Sequence, residues 1–257
     1  MTTDLWLRPL LALGITLVAA VALTVIGIRH RQAPPRYLRD FPIFRSLPGE
    51  VGRAAEEGAL IHITLGSGAL TGEDAMTSLA ALESLHALFD LAAAYDTPPL
   101  ITTGDPTLYV LADDWMRRAY TRLGNPERHR PTLVQFMAAT PATYAAMAAT
   151  YLSEKGSGTT MMLGVFDQEV SLLTDAVIRH GGRAIGGTVS PLGLAPLFTL
   201  LEPQQLVLGE DLFAGGAEAT QRSVFWASLG VQDFLRWLIV AGMVLTALFS
   251  VLGGGGH

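Results

Sequence analysis

The sequence predicts an α/β protein: a mostly parallel sheet of about five strands flanked by helices, with one N-terminal and one C-terminal transmembrane helix. Three observations lead there. Two long stretches without charge stand near the ends of a 257-residue chain that is half hydrophobic. Between them, short apolar runs of strand length alternate with helical patterns. An N-capping residue followed by proline recurs just after those runs, marking the turn from strand into helix.

The first charge-free stretch, 10–28, is bounded by Arg8 and by Arg29-His30-Arg31. Nineteen residues at about 1.5 Å rise cross most of a ~30 Å hydrocarbon layer. A cleaved signal peptide is the competing reading. The second stretch, 237–253, follows Arg236 and opens on Trp237; a buried core helix is its competing reading. Arg29, Arg31, Arg36, Arg39, Arg222 and Arg236 all flank the spans on their inner sides, against Arg8 outside. The positive-inside bias therefore places the domain between them in the cytoplasm and both termini outside. In the first span Ala12, Thr16, Ala20 and Thr24 recur every four residues. In the second Gly242, Thr246, Ser250 and Gly254 do the same. Small-residue ridges of this kind let helices approach closely in lipid, although an alanine-rich composition produces the same pattern.

Residues 29–58 read as a Pro- and Arg-containing connector whose prolines forbid a long helix, with Tyr37, Phe41, Ile43 and Phe44 packed along another surface. The α/β domain follows, 59–216. Strands are expected at 60–66, 99–104, 159–166, 183–188 and 205–209, with LVQFMA (133–138) a candidate sixth. Thr71 is expected to cap a helix whose first turn holds Glu73 and Asp74. Asp105-Pro106, Thr140-Pro141 and Ser190-Pro191 each start a helix, and Gly181-Gly182 stops one. In the helix from 106, Asp113 precedes Arg117 and Asp114 precedes Arg118 by four residues, an ion-paired exposed face. Residues 217–236 form a helical stem into the second span.

The composition excludes several functions. A net charge of −6 with a single lysine, Lys155, is not that of a nucleic-acid binder. The absence of cysteine removes thiolate nucleophiles and cysteine-ligated metals. Gly66-Ser67-Gly68 with Gly72 imitates a dinucleotide loop, but the spacing is G-x-G-x-x-x-G, and Glu73 and Asp74 would repel a phosphate. A tight strand-to-helix turn explains it better. KGSGTT (155–160) inverts the order of a phosphate-binding P-loop. His62, His86 and His180 have no paired serine and acid, and His62 reads as a core or interface histidine inside a strand. Glu83, His86 and Asp90 share a helix face at ligand spacing, which a solvated face explains equally; no metal or other cofactor is expected. One constellation survives. In a parallel sheet the carboxyl ends of the strands line one edge, where ligands bind. That edge is expected to carry Ser67, Thr103, Asp105, Asp167 and Ser190, a polar and acidic set suited to a cation, amine or hydroxyl ligand. Turn and cap residues of an ordinary α/β fold are the competing reading.

The segments GEDLFAGGA, PPLITTGDPTL and LLTDAV, followed by a C-terminal span, make the chain similar from about residue 58 onward to a family of uncharacterised bacterial membrane-anchored α/β proteins. The resemblance implies a domain anchored at both ends in the bacterial inner membrane. It implies no activity and carries over no functional residue. Two functions follow. The first is a non-enzymatic, membrane-anchored module that self-associates into a homo-oligomeric scaffold, with the lipid bilayer and other membrane proteins as partners. The other is a membrane-tethered small-ligand sensor, or a hydrolase, with its site at the strand carboxyl ends.

Overall fold

A computed structural model describes residues 42–95, 97–156, 158–209, 211–213 and 215, with isolated helical residues at 21, 24, 25, 236, 237, 239, 240 and 243. The chain divides into two compact units, Met1–Leu38 with Gln221–His257, and Arg39–Thr220. In the first unit Thr24 is helical and exposed, and the other ridge positions, Ala12, Thr16, Ala20, Gly242, Thr246, Ser250 and Gly254, lie outside the described residues. Among the described residues no helix is long and apolar enough to cross a membrane; both expected spans fall almost wholly outside them, as do Tyr37, Phe41 and the stem up to Arg236.

The second unit opens with a correction. Within the stretch expected to lack a long helix, α1 runs over Pro42–Glu57 with Pro48 inside it. Ile43, Phe44, Leu47, Val51 and Ala54 recur on one side and are all buried. An internal proline costs about 3 kcal/mol, and each fully buried large apolar side chain returns about 1.5–3 kcal/mol, so burial wins.

Six strands follow, all paired in parallel: β1 (Ile61–Gly66), β2 (Leu100–Thr103), β3 (Val134–Phe136), β4 (Thr159–Val165), β5 (Arg183–Thr188) and β6 (Leu206–Leu208). The LVQFMA candidate is therefore a strand. Their order is β3-β2-β1-β4-β5-β6, the doubly wound arrangement whose chain direction reverses between β1 and β4. The helices between are α2 (Ala75–Ser84), α3 (His86–Ala94), α4 (Pro106–Arg122), α5 (Pro141–Lys155), α6 (Val170–Arg179) and α7 (Pro191–Leu200).

Register divides the residues by face, because side chains alternate along a strand. Ile63 aligns with Ile101 and Met161, and Thr64 aligns with Thr102 and Met162. The face with Ile61, Ile63 and Leu65 belongs to the α1–α4 side, as shown by Glu50 of α1 receiving the hydroxyl of Thr159 at 3.0 Å. The face with His62 and Thr64 belongs to α5–α7. There Tyr144, Leu152, Leu173, Val177 and Leu197 build an apolar cluster with Met162 and Ala184.

Helix boundaries mostly follow the punctuation. Asp105 caps α4, accepting from the backbone N–H of Thr107 and Leu108. Gly181 and Gly182 end α6 by donating to Ile178 and Val177 carbonyls at 3.0 Å. Thr71 departs from expectation: a short 3-10 turn, Gly72–Asp74, intervenes, α2 starts at Ala75, and Thr71 makes no side-chain cap bond. Asp114 receives both Arg117 and Arg118. Asp113 instead lies 3.0 Å from His129 Nε2, because the turn after α4 brings that ring back.

Candidate functional site

The carboxyl ends of the strands carry all five sequence-derived candidates, but in two groups. The first surrounds the turn after β1. Gly104 donates its backbone N–H to the Gly66 carbonyl at 2.8 Å, which sets Ser67 beside the Thr103–Asp105 turn. Thr103 is buried, and its Oγ1 accepts the Asp105 N–H at 3.2 Å. Asp105 is taken up by its cap on α4. The second group joins Asp167 and Ser190, whose hydroxyl donates to the aspartate. Both strand ends are tied together through Thr188 Oγ1, which accepts the Phe166 N–H and donates to the Phe166 carbonyl.

Between the groups lies the reversal point of the sheet, where doubly wound proteins bind ligands. Here β1 and β4 close it. β4 has one extra residue against β1, pairing Thr64 with Met162 and then Gly66 with Val165. Gly66 holds φ +77°, and a Cβ on it would stand 2.2 Å from the Val165 carbonyl oxygen. A Cβ on Gly68 would stand 2.5 Å from the Val165 side chain and 2.7 Å from Ser78 Oγ. The glycines thus admit the neighbouring strand, and the loop closes on Val165 and Ser78, both belonging to this chain.

A polar network that sequence reasoning did not assemble lies deeper, under α5. His62 is fully buried, with Nε2 2.9 Å from Thr102 Oγ1. Thr102 Oγ1 is 3.0 Å from the Tyr144 hydroxyl, which donates to the Thr102 carbonyl at 3.2 Å and also meets Thr64 Oγ1. A consistent proton arrangement runs from His62 Nε2–H to Thr102, on to Tyr144 and then to the carbonyl. Burial lowers the His62 pKa to about 3, so the ring is neutral. Burial also raises the Tyr144 phenol to about 12, against the opposing hydrogen bonds from Thr102 and Thr64. The alternating His-x-Thr of β1 was the available signal. Its partners come from β2 and α5, too distant in sequence to be matched by spacing.

At the opposite, amino edge, Glu50 is buried and holds Arg53, Arg183 (2.9 Å) and Thr159. This cluster fastens α1 to the first residues of β4 and β5. The metal-spaced set of Glu83, His86 and Asp90 is broken because α2 ends at Ser84 and α3 starts at His86. His86 stacks edge-on against Trp115, and Asp90 pairs with Arg122. Among the described residues no group of three or more His, Asp or Glu could hold a metal. A surface groove of about 330 Å³ lies along α5, lined by Met137, Met147, Tyr151 and Glu154 among others, and none of the five candidates lines it.

The fold and this edge define a doubly wound α/β protein whose reversal point is closed by its own chain. The chain belongs to the family described as a domain of unknown function, DUF6754, whose model matches residues 5–255. The match takes in both charge-free terminal stretches, beyond the similarity read from residue 58 onward. No curated protein and no solved structure matches the chain.

Proposed function

We propose that this protein is a non-enzymatic, membrane-anchored module that self-associates as a scaffold. The observation that carries this reading is the state of the strand carboxyl edge. Asp105 and Thr103 serve a helix cap, Ser190 serves Asp167, and the glycine turn closes on Val165. Groups engaged by their own turns are poor candidates for acid–base chemistry or for holding a phosphate.

Anchoring in a bacterial inner membrane rests on the charge-free stretches 10–28 and 237–253 with their inner arginines. Their described residues support it, since Val21, Val25, Trp237, Ile239, Val240 and Met243 are helical and 43–73% exposed. Water does not tolerate such sets on helices, and lipid does. The same arginines favour a cytoplasmic domain with both termini outside, and a reporter fused at His257 that signals from the cytoplasm would reverse this.

Native mass spectrometry of the gently solubilised full chain tests the scaffold, with a defined oligomer expected. The sensor reading is favoured by one observation, the reversal of the doubly wound sheet at β1 and β4. A monomer whose melting temperature rises sharply with one small metabolite would establish that reading in place of the scaffold.

A further inference from the structure

We infer that the outer face of α7, continued by α6, is the surface through which two copies of this chain pair around a two-fold axis. The inference rests on the self-association reading and gives it a location. From Ala184 to Leu201 the chain has no charged residue. Within that stretch α7 buries Gly193 and Leu197 and leaves Leu192, Ala195 and Phe198 outward, three residues apart and so on one side of the helix. A helix that is apolar all round belongs in an interior.

Area and charge select a second copy as the occupant. Leu192 and Phe198 are 53% and 57% exposed, and Leu172 and Ile178 on α6 are 44% and 45% exposed. Together they present on the order of 400 Å², most of the apolar share of a standard half-interface of ~800 Å². The charges on α6 are Asp175 and Arg179, an exposed pair at 2.7 Å, so α6 and α7 are together neutral. On a chain of net charge −6, acidic surfaces repel their own copies, whereas this face does not. A two-fold contact is self-complementary: Arg179 of each copy can meet the opposite sign on the other while the apolar faces of α7 close between them.

The chain has no cysteine, so single cysteines report proximity directly. In the full-length protein in mild detergent, oxidation of the Ala195→Cys variant is expected to give a covalent dimer. The Val110→Cys variant, on the 64% exposed site of α4, is expected to stay mostly monomeric on a non-reducing gel. Phe198→Glu should raise the concentration at which half of the dimer dissociates by tenfold or more. If the wild type is oligomeric but both cysteine variants cross-link equally, or Phe198→Glu leaves the dissociation unchanged, the interface lies elsewhere and this inference falls alone. A wild type that is monomeric at every concentration removes the self-association reading with it.

Discussion

The two helical layers differ most where each faces water and where each faces the sheet. α4 alone carries Asp113, Asp114, Arg117, Arg118 and Arg122, whereas α5, α6 and α7 together carry only Glu154, Lys155, Asp175 and Arg179. Beneath the charged layer the central strand presents Ile61, Ile63 and Leu65, all fully buried. Beneath the charge-poor layer it presents His62 and Thr64, bonded into the Tyr144 network. One side is apolar along the central strand and charged on its outer helix; the other sets a polar network into its apolar cluster and carries few charges outside. The first pattern is what a domain needs against water. The second is what a domain needs when its outer surface is covered and its inner surface must hold one register.

The largest expected effect breaks the apolar side. Ile63 sits in the central strand with no exposure. Ile63→Ala should lower stability by about 3 kcal/mol through lost transfer energy and a residual cavity. Denaturant titration measures it. A loss under about 1 kcal/mol would mean that this side is loosely packed and that the contrast between the faces is overstated.

Next comes the polar side. Tyr144→Phe removes one oxygen and leaves the hydroxyl of Thr64 and the carbonyl of Thr102 without their shared partner. The expected cost is about 2 kcal/mol, the penalty for buried groups left unsatisfied. A neutral result would show that Thr64 and Thr102 re-pair locally and that the network adds nothing to register.

A smaller effect depends on pH. His62 titrates near 3 in the folded chain because burial penalises its charge, against about 6.5 when unfolded. Below pH 6.5 the unfolded chain therefore binds a proton that the folded chain does not, so stability falls as pH drops from 6.5 towards 3. Between pH 6.5 and 5.5 the wild type should lose about 1 kcal/mol, before most carboxylates respond. His62→Gln should flatten that slope. Parallel curves for the two proteins would place the responsible titration elsewhere.

Much of this architecture was legible because it is local. Asp105-Pro106 announces α4, Ser190-Pro191 announces α7, and the runs LIHITLG and TTMMLGVF announce central strands. The α1 helix was not legible, since Pro48 argues against it locally and only burial of Val51 and Leu47 on the folded domain outweighs that. The five candidate residues could be placed on one edge, because strand ends in a parallel sheet align by construction. That Asp105 caps α4 could be read from Asp105-Pro106 alone, whereas that Val165 fills the glycine turn could not, because it depends on which strand lies beside β1. The His62–Tyr144 network and the Glu50 cluster fail for the same reason: their partners are 82 and 133 residues away along the chain, and no spacing rule reaches that far.

The smallest effect sharpens the comparison at the outer surface. Asp114 is forked between Arg117 and Arg118, with Arg118 Nε at 2.6 Å. Desolvation pushes its carboxyl upward, and the hydrogen bonds and charges of Arg118 and Arg117 together outweigh that and hold it below the usual range. Both arginines are well exposed, at 58% and 68%, so water and salt screen the attraction, and holding two long side chains in place offsets what remains. Asp114→Asn is therefore expected to leave the melting temperature within about 1 °C of wild type. Phe198→Glu, at a more exposed site on α7, should instead lower the oligomer fraction while leaving the monomer folded. The two variants side by side separate charges that merely keep a surface wet from an apolar face that makes a contact. A drop of several degrees for Asp114→Asn would mean the charged layer is held together by its ion pairs, and the two outer surfaces would then differ in composition but not in role.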